Sequence, residues 1–409
     1  MPTCRFCAAP LTHTFVDLGS SPIANDYLEP EDLSRMEPFY PLHAYVCAQC
    51  LLVQLPPVQA PESLFNAEYA YFSSFSDSWL GHARAYAQAM IQRFRLGAGS
   101  RVVEVASNDG YLLQYFRTAG IPVLGIEPAR NCAAAALAKG IPTEVRFFGA
   151  ATARALAADS AADLMAANNV LAHVPDINDF VEGFRILLKP TGVATFEFPH
   201  LLNLIQRNEF DTIYHEHYSY LSLHAARQVF AARDLTIFDV EELPSHGGSL
   251  RLFVRHAGNA ALPVAPGVDR VAAKERQAGL DHLAGYLDFA PKAQKVKRDL
   301  LKFLIAAKEE GKTVVGYGAP AKGNTLLNYC GIRADLLAFT VDRSPYKHGR
   351  YLPGTHIPIH PPEQIMAVRP DYVLVLPWNL QAEIVEQMHA VRAWGGRFVV
   401  PIPELKVLP

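Results

Sequence analysis

The chain reads as an α/β protein in three parts: a small metal-binding module, a doubly wound parallel sheet, and a second, Rossmann-like α/β unit. Three observations predict this. Four of the six cysteines fall in two tight pairs within the first fifty residues. From Arg101 onward, short apolar strands alternate with helical stretches. The same alternation resumes after a long helical stretch over residues 268–310, with residues 312–318 running as a strand into a glycine turn. A length of 409 residues suits two or three domains, with boundaries expected at 1–65, 66–260 and 261–409.

The pairs Cys4-x-x-Cys7 and Cys47-x-x-Cys50 can supply four thiolates to one tetrahedral Zn²⁺. The 39 residues between the knuckles leave room for a strand and loop excursion. A redox Cys-x-x-Cys opens a helix after a strand, and nothing here has that setting. A disulfide framework needs export, and residues 1–10 are no signal peptide. A four-cysteine site is closed, so this zinc is expected to be structural. Cys132 and Cys330 sit in apolar helical surroundings and read as buried thiols, in keeping with a reducing cytoplasm.

In the first α/β unit, residues 101–106 and 122–127 read as strands, each followed by a helix, and residues 163–169 and 193–198 as further strands. Ligands of such sheets sit at the carboxyl ends of the strands. There the sequence offers Glu104, Ala106, Ser107, Asn108, Asp109 and Gly110. Glu127 and Pro128 end the second strand, where a carboxylate can accept from ribose hydroxyls. A dinucleotide turn would read Gly-x-Gly-x-x-Gly. Only Gly110 is a glycine, and Asp109 would repel phosphate, so a cationic, phosphate-free ligand such as S-adenosylmethionine suits the turn better. Asn168 and Asn169 end the fourth strand, near where a methionine portion would lie. Phe148, with Phe147, is placed to wall an adenine or to pack in the core.

Tyr214-His215-Glu216-His217-Tyr218 gathers ionisable groups in one short loop. It lacks the i, i+4 histidine spacing of a metalloprotease helix. The sharper reading makes His217 a general base oriented by Glu216, with His173 facing the same cavity; two histidines two apart on a strand could instead bind a metal. Tyr69, Tyr71, Ser73, Ser74 and Ser76 form a hydroxyl-rich loop able to fold over a site. His246-Gly-Gly-Ser-Leu-Arg251 offers close backbone approach and an arginine, or a plain turn.

Four segments taken together resemble the nucleotide-sugar C-methyltransferases, nearest in type to those acting at C3 of dTDP-4-keto-deoxysugars. They are the paired cysteine knuckles, Val-Glu-Val-Ala-Ser-Asn-Asp-Gly at 103–110, Tyr-His-Glu-His at 214–217, and Gly-Tyr-Gly-Ala-Pro-Ala-Lys-Gly-Asn-Thr at 316–325. The resemblance spans essentially the whole chain in order. It implies a class I methyltransferase sheet, zinc on Cys4, Cys7, Cys47 and Cys50, and S-adenosylmethionine on Glu104 through Gly110 and Glu127. It implies His217 as base with Tyr214, Glu216 and His173 in one cavity, and a tyrosine from the aromatic loop, taken as Tyr71 over Tyr69. The C-terminal unit would help hold the nucleotide-sugar. There Gly316-Tyr-Gly318 would cradle phosphate with Ala319, Lys322, Gly323 and Asn324, assisted by Lys347, Arg350, Tyr351 and Arg251.

Composition limits the alternatives. Lys and Arg total 37 against 40 Asp and Glu, for a net charge of −3, and no basic block marks a nucleic-acid partner. No apolar run approaches the ~20 residues of a membrane span. A cytoplasmic monomer or weak dimer acting on a nucleotide-linked 4-keto sugar is expected. Methylation at C5, a GDP carrier, a nicotinamide-dependent sugar oxidoreductase using the second unit, and a nonenzymatic zinc-scaffold binding protein stay open as alternatives.

Overall fold

The computed structural model describes residues 1–59, 72–158 and 161–408, arranged around three sheets. The central one has seven strands in the order β10-β11-β8-β7-β4-β5-β6. These are β4 (Val102–Val105), β5 (Val123–Ile126), β6 (Thr143–Glu144), β7 (Ala162–Asn168), β8 (Leu188–Pro199), β10 (Leu235–Leu243) and β11 (Ser249–His256). Strands β8 through β6 run parallel, as expected, and β11 and β10 add an antiparallel edge that the alternation did not predict. β4 and β7 are neighbours, and the connections leave β4 toward both edges. Their carboxyl ends therefore flank the crevice where such sheets bind ligands. All four residues of β4 are buried, as a central strand covered on both faces requires.

The C-terminal sheet has six strands, β14-β13-β12-β15-β16-β17, parallel except for the last. They are β12 (Val314–Tyr317), β13 (Thr340–Val341), β14 (Ile359–His360), β15 (Tyr372–Val375), β16 (Arg397–Val400) and β17 (Lys406–Leu408). The helical stretch before it is three helices, Pro266–Gln277, Ala284–Leu287 and Phe289–Glu309. Gly279 breaks the first from the second at a φ of +80°.

The N-terminal module is a four-stranded antiparallel sheet, β1 (His13–Ser21), β2 (Tyr40–Val46), β3 (Val53–Gln54) and, on its edge, β9 (Ser219–Tyr220). β9 belongs to the chain directly after His217. Apolar packing is shared in the same way. Phe15 of β1 stacks on Phe289 at 4.6 Å, and Cys4, Cys47 and Cys50 lie in one core with Phe196 and Phe230 of the central unit.

Candidate active site

The four cysteine sulfurs lie within 4.8 Å of one another, with Cys4–Cys50 and Cys7–Cys47 each at 3.5 Å. A tetrahedron with Zn–S of about 2.3 Å has sulfurs roughly 3.8 Å apart, so the cluster fits zinc closely. The two knuckles repeat one backbone device. Ala8 and Leu51, each following a pair's second cysteine, have φ of 61° and 59°, and their amides return to the carbonyls of Cys4 and Cys47. Gln54 Nε2 donates to Cys4 Sγ at 3.1 Å, and Gln54 Oε1 accepts from the Arg5 amide. The zinc cluster is thus joined to β3, and through β3 to β9.

At the carboxyl ends of β4 and β7 the backbone is held in a costly shape. Ala106, Asn108 and Asn169 have φ of 57°, 49° and 54°, a region Asn tolerates and one that disfavours Ala106 by about 1 kcal/mol or more. Glu127 explains part of the shape: its carboxylate accepts from the Asn108 amide at 2.9 Å and the Ala129 amide at 2.8 Å. Asn108 Oδ1 in turn accepts from the Ser73 and Asp109 amides. Around this turn both oxygens of Glu104, Ser107 Oγ, Asp109 Oδ1, Asn168 Oδ1 and Asn169 Oδ1 are buried with no hydrogen-bond partner of good geometry among the described residues. Buried polar atoms are almost always satisfied, so the cluster points to a ligand. Five of those six atoms belong to acceptor groups. They ask for a donor-rich, cationic molecule, and the ammonium, sulfonium and ribose hydroxyls of S-adenosylmethionine meet that description. Without a ligand, burial pushes the Glu104 carboxyl well above the ordinary carboxylate range.

Two expectations for this turn are corrected. Asp109 is not a bare carboxylate: Ser74 donates to it, and Lys139 Nζ pairs with it at 2.9 Å. Gly110 is required by its φ of +78° and by Ile141, whose Cγ1 would lie 3.0 Å from an added Cβ, so the protein interior itself needs the glycine. Phe148 is committed to core packing, edge-on to Phe180 at 5.7 Å and Phe184 at 5.1 Å. Pro128 lies between Glu127 and the helix Arg130–Ala138.

Replacing Glu127 by Ala is expected to weaken S-adenosylmethionine binding by roughly 1–3 kcal/mol, the cost of unmet hydroxyl and amide partners. Titration calorimetry on the zinc-loaded protein checks this, and an unchanged constant would place the ribose elsewhere.

His217 lies deeper. Its Nδ1 is 2.9 Å from the Thr212 carbonyl. A carbonyl only accepts, so Nδ1 carries the proton and Nε2 keeps a lone pair. His173, brought in by the turn after β7, meets His217 edge-on at 4.6 Å, and the Tyr214 ring lies 4.0 Å away. His173 thereby links the ligand turn to His217. Desolvation, and second to it the neighbouring His173, hold His217 well below the ordinary histidine value; desolvation takes His173 to about 4. Both are neutral at pH 7.

Glu216 does not orient His217, contrary to expectation. Its carboxylate accepts from Asn25 Nδ2 at 2.7 Å, and Thr212 supplies the contact to the imidazole instead. Tyr71 lies outside the described residues. Arg251 is a brace: it donates to Glu197 at 2.8 Å and Glu241 at 3.0 Å over the Tyr86 ring.

The glycine cradle of the C-terminal unit is also corrected. The Gly318 amide donates to the Val341 carbonyl, and the Ala319 amide donates to Asp342 Oδ2 at 2.7 Å. A carboxylate already holds the amide a phosphate would need. Gly323 packs against Leu376, and Asn324 Nδ2 donates to the Ala24 carbonyl. Lys347 donates to the Ala319 carbonyl at 2.9 Å. Arg350 pairs with Glu29 at 2.8 Å and Tyr351 bridges Leu28, both against the N-terminal module. Lys322 sits over Trp378, 4.7 Å from the ring centre, with Asn379 Oδ1 at 2.8 Å.

Sequence reasoning missed several neighbours of this cavity. Asp211 is fully buried and accepts from Trp378 Nε1 at 2.8 Å. Burial beside Asp211 pushes Glu209 up to about 8, and His246, at a φ of 53°, is depressed by burial to about 4. The local signals were the His246-Gly-Gly turn and Leu-Pro-Trp-Asn at 376–379, where a strand ends in aromatic and amide side chains.

Three family models match successive stretches of the chain. A family model described as a zinc binding domain matches residues 4–65, a methyltransferase domain matches 79–240, and a C-methyltransferase C-terminal domain matches 244–403. C-methyltransferase NovU of Streptomyces niveus is 38% identical over 406 residues, covering 99% of this chain and 96% of that protein. The chain belongs to the C-methyltransferase family. A stretch of 97 residues is also 31% identical to the ubiquinone biosynthesis O-methyltransferase of Rhodopseudomonas palustris strain BisA53, covering 24% of this chain and 38% of that protein. Among solved structures, the PH0226 protein of Pyrococcus horikoshii OT3 matches at 15% identity and a TM-score of 0.38, over 46% of this chain and 94% of that one. This C-methyltransferase uses S-adenosylmethionine and has a structural zinc site. Among the described residues, no helix is long and apolar enough to cross a membrane.

Proposed function

We propose that this C-methyltransferase methylates C3 of a nucleotide-linked 4-keto-deoxysugar. One observation carries the reading: the His217 imidazole commits Nδ1 to the Thr212 carbonyl at 2.9 Å, a tautomer that leaves Nε2 free to take a proton. Carbon is not nucleophilic until a proton is lost, so a C-methyltransferase needs such a base, and a ketone beside the carbon makes that proton acidic enough. Bound S-adenosylmethionine supplies the methyl electrophile. His217 Nε2 takes the ring proton. The Tyr214 ring, 4.0 Å from the imidazole, is placed to bring its hydroxyl toward the developing oxyanion. His173, wedged between the ligand turn and His217, holds the two reacting ends together. Residues 1–65, 66–260 and 261–409 then divide the work into zinc module, methyl-donor unit and sugar-nucleotide unit. In the last, Lys322 and Lys347 supply positive charge at the carboxyl ends of β12 and β13, a role the glycine turn does not share.

Transfer of labelled methyl from S-adenosylmethionine to a panel of dTDP- and GDP-linked 4-keto and 4-hydroxy sugars tests this. Methylation of 4-keto acceptors alone, with loss of deuterium from C3, is expected. Loss from C5 would move the site of reaction, and transfer to a 4-hydroxy sugar would sink the enolate route.

A further inference from the structure

We propose that the C-terminal unit sets the tautomer and aim of His217, with Trp378 and Thr325 as positioning residues. The proposal rests on the reading of His217 as the base.

Thr212, whose carbonyl accepts from His217 Nδ1, is gripped on both sides from the C-terminal unit. On one side, Asp211 Oδ2 accepts from Trp378 Nε1 at 2.8 Å. On the other, the Ile213 carbonyl accepts from Thr325 Oγ1 at 3.1 Å; the competing contact of that hydroxyl, to Ala321 O within its own helix, is longer at 3.5 Å. Trp378 follows β15 and Thr325 lies in the helix Ala321–Cys330 that follows β12. These are adjacent parallel strands, so both grips come from one rigid edge of one sheet. Within the gripped segment the chain is a single tight turn: the Thr212 amide and hydroxyl both donate to the Glu209 carbonyl, at 3.1 Å and 2.7 Å, and the Ile213 amide donates to Phe210. The Thr212 carbonyl cannot shift without breaking one of these bonds.

Fold stability alone does not account for the arrangement. Asp211 is fully buried, and among the described residues its Oδ1 has no hydrogen-bond partner of good geometry. Burial outweighs the nearby charge of Lys322 and the Trp378 indole, and raises its carboxyl to about 6. A requirement for a fixed aim does account for it. If the Thr212 carbonyl moves away, Nδ1–H loses its acceptor. The imidazole is then free to carry its proton on Nε2, the atom that must be empty to act as base.

The test uses zinc-loaded, full-length protein with S-adenosylhomocysteine bound and ¹⁵N-labelled histidine, His217 being assigned by its absence from the spectrum of His217→Asn. The wild-type ring is expected to show protonated Nδ1 and bare Nε2. Trp378→Phe removes the donor and keeps the ring. It is expected to shift His217 toward the Nε2–H form and to lower kcat by about 10–100-fold, the cost of misplacing a reacting group. KM for S-adenosylmethionine should stay within about threefold. Thr325→Val should do the same to a lesser degree, and Thr325→Ser, which keeps the hydroxyl, should restore both readouts. This pair decides the matter if Trp378→Phe does not fold. A wild-type ring already protonated on Nε2, or variants that keep the wild-type tautomer, would overturn the proposal. A shifted tautomer with unchanged turnover would instead remove His217 as base and leave the positioning intact.

Discussion

His217→Asn is expected to bind both substrates and to turn over about 10²–10⁴-fold more slowly, the usual worth of one positioned base. The structure sharpens the reason. Nδ1 is occupied by the Thr212 carbonyl, so Nε2 is the only ring atom able to take a proton, and asparagine offers no basic atom there. With S-adenosylhomocysteine filling the methyl-donor site, the variant should also stop exchanging the acceptor's ring hydrogen with deuterated solvent. Wild-type exchange in the variant would pass the role to His173. The pH profile gives an independent check. Burial and the neighbouring His173 hold His217 well below the ordinary histidine value. The active, neutral form therefore persists as pH falls through 6.5, and the acid limb of kcat/KM should begin below that value. A limb centred near 6.5 would assign the proton transfer to a more exposed group.

Loss of zinc should have the other large effect, on stability first and turnover as its consequence. Metal binding and folding are linked in thiolate modules. Here the linkage reaches the catalytic loop. Gln54, which donates to Cys4 Sγ, pairs with Ser219 across β3 and β9, and the Leu55 amide donates to the Tyr218 carbonyl at 3.0 Å. Arg5, between the first two cysteines, donates to the Leu55 carbonyl and to the Pro175 carbonyl at 2.7 Å, while Asn178 reaches back to the carbonyls of Arg5 and Phe6. Chelation, or Cys47→Ser, is expected to cost several kcal/mol, a fall in Tm of roughly 10 °C or more, with activity lost in parallel. Protein purified without chelator should contain one zinc per chain by elemental analysis. Zinc-free protein of wild-type Tm and activity would refute the structural role.

Much of this molecule was legible locally. Two Cys-x-x-Cys pairs specify a tetrathiolate site because the ligand spacing is built into each knuckle. Alternating strands and helices specify the parallel sheets because burial on both faces leaves a continuous apolar run. The carboxyl ends of those strands can then be read off, and they hold Glu104 through Gly110, Asn168 and Asn169. The two antiparallel strands β10 and β11 escaped that reading because nothing in a short apolar run states its direction. Sequence position alone also could not say which group touches which. Glu216 adjoins His217 in the chain, yet its partner is Asn25, 191 residues away, while a backbone carbonyl with no sequence signature holds the imidazole. The glycine turn at 316–318 has the residues of a phosphate cradle, but Asp342, from the next strand, consumes the Ala319 amide. Asp211 and Trp378, 167 residues apart, become partners only because the turn Phe210–Thr212 packs against the C-terminal unit. Residue type and spacing decide local conformation through sterics and burial. Hydrogen-bond partners are chosen by competition among every group that the packed chain brings within about 3 Å, and only the tertiary structure settles that.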